Sequence, residues 1–390
     1  MKSKIIPYSR QKIFHDDIRE VNKVLRSNFL TTGPTCIKFE KKFSKFVNSK
    51  FSVAVNSATS ALHIACKALG LGKGDYLWTS SNSFVASSNC ALYCGSRVDF
   101  VDIELDHYNI DLDLLEKKLI KAKKNNRLPK IIVPVLFSGH PYDMFRLKSL
   151  SKKYKFKILE DASHAIGAKY FNNKVGNCKY SDITVFSMHP VKIITTGEGG
   201  IATTNNKKYS DKMKLLRSHG ITRDIKSFKK TKFNVTHYEQ HILGYNYRLS
   251  DIQASLGISQ LKKINLFLKE RRKIKNFYDK KLKQFPFILP KENKNMKSSW
   301  HIYPVLIDKN KTKKKKDDLL KYLRKKKIYV NTHYIPIPSQ PFYKNLGFKE
   351  KNFKNSLDFY NREISLPIYV GLSINELKSI LLNLKIFFKN

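Results

Sequence analysis

The residues best suited to chemistry lie in the run Phe186-Ser187-Met188-His189-Pro190-Val191-Lys192-Ile193-Ile194-Thr195-Thr196-Gly197-Glu198-Gly199-Gly200. Lys192 stands alone there among small and hydroxyl residues, whereas most lysines of the chain come in surface-like runs. A lysine held in a buried cleft loses basicity to desolvation, and the free amine that results attacks a carbonyl. Imine formation with an aldehyde cofactor is the chemistry that calls for this arrangement. Ser187, a few residues earlier, reads as a phosphate ligand for the other end of the same cofactor. Upstream, Glu160-Asp161 closes the apolar run Phe156-Lys157-Ile158-Leu159. A carboxylate at the C-terminal edge of a parallel strand is where a cofactor such as pyridoxal phosphate finds the acidic partner its ring nitrogen needs, and Asp161 supplies one. Further upstream, Val53-Ala54-Val55 breaks into Asn56-Ser57-Ala58-Thr59-Ser60 and then into a helical pattern. Small residues at such a turn let backbone N–H groups reach a phosphate at a helix N-terminus. An ordinary helix N-cap accounts for the same residues equally well.

These groups need a scaffold that brings strand ends together. The order strand, polar loop, helix recurs at 75–87, where Phe84 falls near the ligand edge, and strands are also expected at 97–103, 130–136 and 182–186. Apolar strands separated by helices of ordinary length predict an α/β fold with a mostly parallel sheet covered on both faces. Helices are expected at 16–28 and 36–47, the second with Phe39, Phe43 and Phe46 as a core stripe. One long helix over 249–278 leads into a smaller α+β region with strands at 300–307 and 328–334 and helices at 355–362 and 375–387. The chain thus divides into a large domain, 1–255, and a linking helix with a small domain, 256–390. The polar, poorly periodic segment 221–240 reads as a mobile loop over the cleft. His140, after the strand at 130–136, is given no chemical role, because a loop histidine is as often a structural hydrogen-bonder.

Bulk properties narrow the classes. A length of 390 residues with 41% hydrophobic and 12% aromatic content suits two folded domains. No apolar run approaches the roughly 20 residues of a membrane helix, and Met1-Lys2-Ser3-Lys4 leads into no signal-peptide core. Five cysteines, at 36, 66, 90, 94 and 178, show no metal-ligand spacing, and their odd number suggests a reducing cytoplasm. The net charge of +44 would attract nucleic acid, anionic membrane or an anionic substrate. The basic runs are scattered over helical segments and turns, with no zinc finger and no aromatic-interleaved RNA module, so nucleic-acid binding is not expected. A basic binding protein without a cofactor is the remote rival reading.

Several blocks together resemble one family. Asn56 to Leu62 (NSATSAL), Glu160 to Ala165 (EDASHA), Phe186 to Gly200 (FSMHPVKIITTGEGG), Arg217 to Gly220 (RSHG) and Gly244 to Ala254 (GYNYRLSDIQA) are similar to the diagnostic blocks of the DegT/DnrJ/EryC1/StrS sugar aminotransferases. The resemblance implies a fold-type I pyridoxal 5'-phosphate (PLP) enzyme whose large domain holds a mostly parallel seven-stranded sheet between helices, with a smaller α+β C-terminal domain. It implies Lys192 as imine partner and proton carrier, Phe84 stacked on the cofactor ring, and His164 against the ring or its oxygen. Ser57, Ala58, Thr59 and Ser187 would hold the phosphate and Asp161 the ring nitrogen. Asn246 would reach the phosphate of a neighbouring subunit, which makes the expected assembly a homodimer. Tyr8, Thr32, Gly33, His189, Arg248, His333 and Tyr334 are the candidate substrate contacts. Within the family the blocks most resemble the transaminases of pseudaminic acid biosynthesis, which implies transfer from L-glutamate to C4 of a UDP-linked 4-keto-6-deoxy-N-acetyl hexose. A sibling activity on a dTDP, GDP or other UDP 4-keto sugar is the alternative, and no metal is implied.

Overall fold

The computed structural model describes residues 5–229 and 234–389. Seven strands form the central sheet: β1 (Phe51–Val55), β2 (Tyr76–Ser80), β3 (Arg97–Val101), β4 (Ile131–Val133), β5 (Lys157–Asp161), β6 (Ile183–Ser187) and β7 (Gly200–Thr204). Their spatial order is β1-β7-β6-β5-β4-β2-β3. All neighbours run parallel except β7, which is antiparallel to both β1 and β6. The strands are almost wholly buried, as expected where helices cover both faces. One face packs on helices Pro34–Val47, Leu112–Lys124, Met144–Tyr154 and Asp251–Lys262. The other packs on Ala58–Ala68, Ala86–Tyr93 and Lys207–Arg217.

The Phe39/Phe43/Phe46 stripe is built as a core feature. Phe43 is fully buried, and its ring centroid lies 6.1 Å from Phe39, 6.3 Å from Phe46 and 5.3 Å from Phe186 of β6. The expected helix over 249–278 is instead two helices, Asp251–Lys262 and Ile264–Lys281. Ser250 and Gln253 form a capping box at the start of the first. The break falls at Lys263, whose Nζ turns to Asp16 at 2.7 Å and to the buried Asp17 at 2.8 Å in the N-terminal helix.

The smaller α+β domain holds an antiparallel sheet of β8 (Phe287–Ile288), β9 (Tyr303–Ile307) and β10 (Glu363–Leu366). Helices Ile264–Lys281, Lys316–Lys325 and Ile374–Lys389 supply the rest of its core. The N-terminal arm joins it, with Ile6 pairing in parallel with Ile328 and Tyr8 accepting a backbone hydrogen bond from Ile368. Of the segment expected to be mobile, residues 230–233 lie outside the described residues, and on either side Ile221–Thr222 pairs with Glu239–Gln240. Among the described residues no helix is long and apolar enough to cross a membrane, and no group of three or more His, Cys, Asp or Glu is arranged to hold a metal ion. All five cysteines are buried free thiols.

Phe43→Ala leaves a cavity between helix and sheet and is expected to lower stability by about 3–5 kcal/mol. Denaturant titration measures this, and a loss under 1 kcal/mol would mean that the aromatic cluster does not anchor the helix.

Candidate active site

The C-terminal ends of the parallel strands converge on one edge of the sheet, where open α/β folds form their clefts. Because β7 is antiparallel, its first residue lies at that same edge, and Gly200 pairs with Ser187, the last residue of β6. Residues 188–199 therefore leave and re-enter the sheet at one place. The loop is closed by hydrogen bonds from Met188 N to Gly199 O (2.9 Å), Thr196 N to Met188 O (3.1 Å) and Thr195 Oγ1 to Met188 O (2.8 Å). Lys192 rises from its middle, and Ser9 Oγ donates to Val191 O at 2.8 Å, tying the N-terminal arm to the loop.

On the other side of β7, the turn after β1 leads into helix Ala58–Ala68. Ser57 is its N-cap, with Oγ accepting from Ser60 N at 3.1 Å. The two readings of this turn are thus compatible, because the cap uses the side chain while the amides of the first turn, which have no acceptor within a helix, remain for a ligand. A Cβ on Gly200 would come within 2.4 Å of Ser57 backbone carbon and oxygen and 2.5 Å of Ala58 N. Only glycine lets β7 lie this close under the turn.

Lys192, Ser57, Ala58, Thr59, Phe84, Asp161, His164, Ser187, His189, Tyr8, His333 and Tyr334, predicted from widely separated stretches, all line one cavity of about 380 Å³. Asp161 ends β5 with Oδ2 accepting from Ser87 Oγ at 2.6 Å and Oδ1 from Ser163 N at 3.1 Å. Burial pulls the Lys192 amine down to about 8, opposed by the charge of Asp161 and reinforced by that of Arg271. Phe84 is not core but 58% exposed at the cavity, its centroid 6.2 Å from the Tyr334 ring. His164 Nε2 lies 3.0 Å from the Tyr334 hydroxyl, while its buried Nδ1 has no hydrogen-bond partner among the described residues. Burial, and then the Lys192 charge, hold His164 well below the usual imidazole range. His189 lies within the loop, its carbonyl accepting from Lys192 N at 2.9 Å. His140 is a structural hydrogen-bonder, with Nδ1 2.7 Å from Pro141 O and its ring stacked 4.2 Å from His107.

Four predicted residues do not line this cavity. Gly33 caps helix Pro34–Val47 and donates from N to Asp251 Oδ2 at 2.6 Å, with Thr32 exposed before it. Asn246, exposed, and Arg248 lie in the strip beside the end of β1, where Arg248 bridges Val55.

Other residues enter that the sequence did not single out. His301 Nε2 lies 3.5 Å from Lys192 Nζ. It precedes β9 instead of belonging to it. Arg271, fully buried, donates from one guanidinium nitrogen to the carbonyls of Trp300 (3.1 Å), His301 (2.9 Å) and Ile368 (2.9 Å). Ser299 Oγ donates to His164 O at 2.7 Å, in a space that a Cβ on Gly139 would occupy. Ser87, which holds Asp161, is fully buried in the helix that follows the polar loop.

A family model of the DegT/DnrJ/EryC1/StrS aminotransferases matches residues 11–385. The chain belongs to this family. It is 40% identical over 377 residues, 96% of this chain and 95% of that protein, to the UDP-4-amino-4,6-dideoxy-N-acetyl-beta-L-altrosamine transaminase of Campylobacter jejuni strain 81-176. Its fold superposes on Helicobacter pylori PseC, an aminotransferase involved in the biosynthesis of pseudoaminic acid, with a TM-score of 0.89 and 34% identity over 99% of this chain and 100% of that one. The PLP form of Spr1654 from Streptococcus pneumoniae gives a TM-score of 0.88 and 29% identity, covering 98% of both chains. The chain is thus a fold-type I, PLP-dependent enzyme of aminotransferase type. The cavity suits that cofactor: a lysine of lowered basicity, a buried carboxylate, an imidazole nitrogen without a hydrogen-bond partner among the described residues, and a helix N-terminus brought close by Gly200.

Since only the neutral amine attacks an aldehyde, the rate at which the apoprotein takes up pyridoxal phosphate should rise about ten-fold per pH unit below pH 8 and level off above it. Stopped-flow absorbance between pH 6 and 10 reads this. A rise continuing to pH 10 would show that Lys192 keeps the basicity of an exposed lysine.

Proposed function

We propose that the enzyme transfers an amino group from L-glutamate to C4 of a UDP-linked 4-keto-6-deoxy-N-acetyl hexose. The observation that carries an amino transfer is the placement of Lys192, Asp161 and the Ser57–Thr59 turn on one cavity. The substrate reading is supported by what the Campylobacter and Helicobacter relatives are named for. Bound pyridoxal phosphate supplies an aldehyde for the amino group and a ring that withdraws electrons from the carbon losing its proton. In this reading the amides of Ala58 and Thr59, with Ser187, bind the phosphate, and Asp161, oriented by Ser87 and Ser163, holds the protonated ring nitrogen. Phe84 and His164 bracket the ring. Lys192 Nζ would stand beside the reacting carbon and carry a proton from it and back. His301, 3.5 Å away, keeps Nζ on that path.

Tyr8, His189, His333 and Tyr334 are proposed to meet the substrate in the same cleft. Thr32, Gly33, Asn246 and Arg248, which lie outside their own chain's cavity, are proposed to serve the site of a second subunit, in a homodimer of cytoplasmic, water-borne enzyme with its active sites at the interface.

Incubation with the UDP 4-keto sugar and glutamate should give the 4-amino sugar by mass spectrometry, and Lys192→Ala should cut kcat by at least about 10³-fold. Turnover of a dTDP or GDP 4-keto sugar in preference would transfer the reading to a sibling activity. Mixing inactive Lys192→Ala with Asn246→Ala should restore partial activity, since each hybrid dimer regains a site with neither change; no recovery after subunit exchange would remove Asn246 from the partner's site.

A further inference from the structure

Behind His333 lies a polar chain that the amino transfer described above does not use. Glu363 and Ser365 are fully buried on β10, and His333 is 4% exposed at the cavity. Ser365 Oγ donates to Glu363 Oε1 at 2.6 Å and lies 2.8 Å from His333 Nδ1. The backbone N of His333 donates to Glu363 Oε2 at 2.8 Å. A backbone bridge between Asn331 and Ser365 fixes the spacing, with Ser365 N donating to Asn331 O at 2.8 Å. The far nitrogen, Nε2, is 3.5 Å from Asn331 Nδ2, and both residues line the cleft. A carboxylate buried on a hydroxyl and an amide is costly to keep charged and invites a proton.

We propose that Glu363, Ser365 and His333 form a buried proton relay whose outer end, His333 Nε2, exchanges a proton with whatever occupies the cleft while the imidazole itself stays neutral. With Glu363 ionised, the Ser365 hydroxyl hydrogen points to Oε1, so Ser365 Oγ accepts from His333 Nδ1–H and Nε2 offers a lone pair to the cleft. When a proton arrives at Nε2, the Nδ1 hydrogen passes to Ser365 and the Ser365 hydrogen passes to Glu363. One proton has entered, Glu363 is a neutral acid, and Nε2–H is now a donor. The reverse sequence returns the proton, and no other bond changes.

The surroundings favour a neutral ring at both ends of this exchange. His333 faces Tyr8, Tyr334, His164, His301 and Lys192, and burial with the Lys192 charge takes it down to about 3. Glu363 faces Lys316, Tyr108 and Tyr334, and burial takes it up to about 8. The cleft-facing nitrogen therefore changes from donor to acceptor as pH rises through about 8, without an imidazolium at either end.

The inference rests on the proposed function only in taking the cleft as the substrate's place, and its test needs no substrate. In holoenzyme with ¹⁵N-labelled histidine, long-range ¹H–¹⁵N correlations separate the two neutral tautomers and the imidazolium. The His333 signals are assigned by their loss in His333→Gln. The Nε2–H form is expected at pH 6.5, giving way to Nδ1–H by pH 9.5. Glu363→Gln, whose amide N–H donates permanently to Ser365, should hold the Nε2–H form across that range. Ser365→Ala, which removes the middle link, should abolish the pH-dependent change and serves if Glu363→Gln does not fold, as judged by the bound-cofactor band. An imidazolium at pH 6.5, or a tautomer change that persists in either variant, would overturn the relay. Failure to form the 4-amino sugar from the UDP 4-keto sugar and glutamate would challenge the proposed function alone and leave these spectra unaffected.

Discussion

The close contact between Gly200 and the Ser57–Ala58 turn is the constraint on which the site depends. It is a matter of a missing methyl group. Because β7 can slide under the turn, the helix that starts at Ala58 and the loop that carries Lys192 share one wall. The antiparallel direction of β7 then does a second thing. It returns the lysine loop to the sheet directly beside Ser187, so both ends of that loop are fixed by backbone hydrogen bonds and the position of Nζ does not depend on a long excursion. A second glycine contact, at Gly139, lets Ser299 reach the carbonyl of His164 and brings His301 in from the smaller domain.

Electrostatics follow from this packing. Arg271 is fully buried, Lys192 is half-buried at the cavity, and Asp161 is the carboxylate that faces Lys192. Among the described residues no acid pairs with Arg271; three backbone carbonyls accept from one of its nitrogens. The positive charges press on the imidazoles nearby, which is why burial and charge act in the same direction on His164, His301 and His333, whereas on Lys192 the charge of Asp161 opposes burial. A cleft of neutral imidazoles beside a lysine of lowered basicity, with one buried carboxylate, is prepared to receive a phosphorylated, anionic guest.

Much of this was legible in the sequence because it is written in strand ends. Asp161 closes an apolar run, Ser187 closes another, and the Ser57–Thr59 turn opens a helix, so each could be placed at the ligand edge from local pattern. The family blocks added Phe84 and His164, whose isolated readings would have sent the phenylalanine to the core. What could not be read locally comes from tertiary contact. His301 lies more than 100 residues from Lys192 and was absorbed into a strand that begins at Tyr303. Arg271 looked like one of many surface cations in a basic helix, although it is fully buried. The break at Lys263 was hidden because helical periodicity runs through it, and the Asp16 and Asp17 carboxylates that hold Lys263 there come from a distant stretch of the chain. Thr32, Gly33, Asn246 and Arg248 were assigned by motif, and a single chain gives them a place but no cavity.

The cleft is also distributed in time. A ribosome produces the Ser57 turn, Asp161 and the lysine loop in that order, and these complete their sheet without the smaller domain. Tyr8 is made before all of them, yet its backbone is anchored at Ile368 and its arm is paired at Ile328. His301, His333 and Tyr334 arrive only near the end of synthesis. A nascent chain can therefore present Lys192 and the Ser57 turn long before it has the remaining walls of the cleft, and the earliest residues must wait, unpaired, for the last.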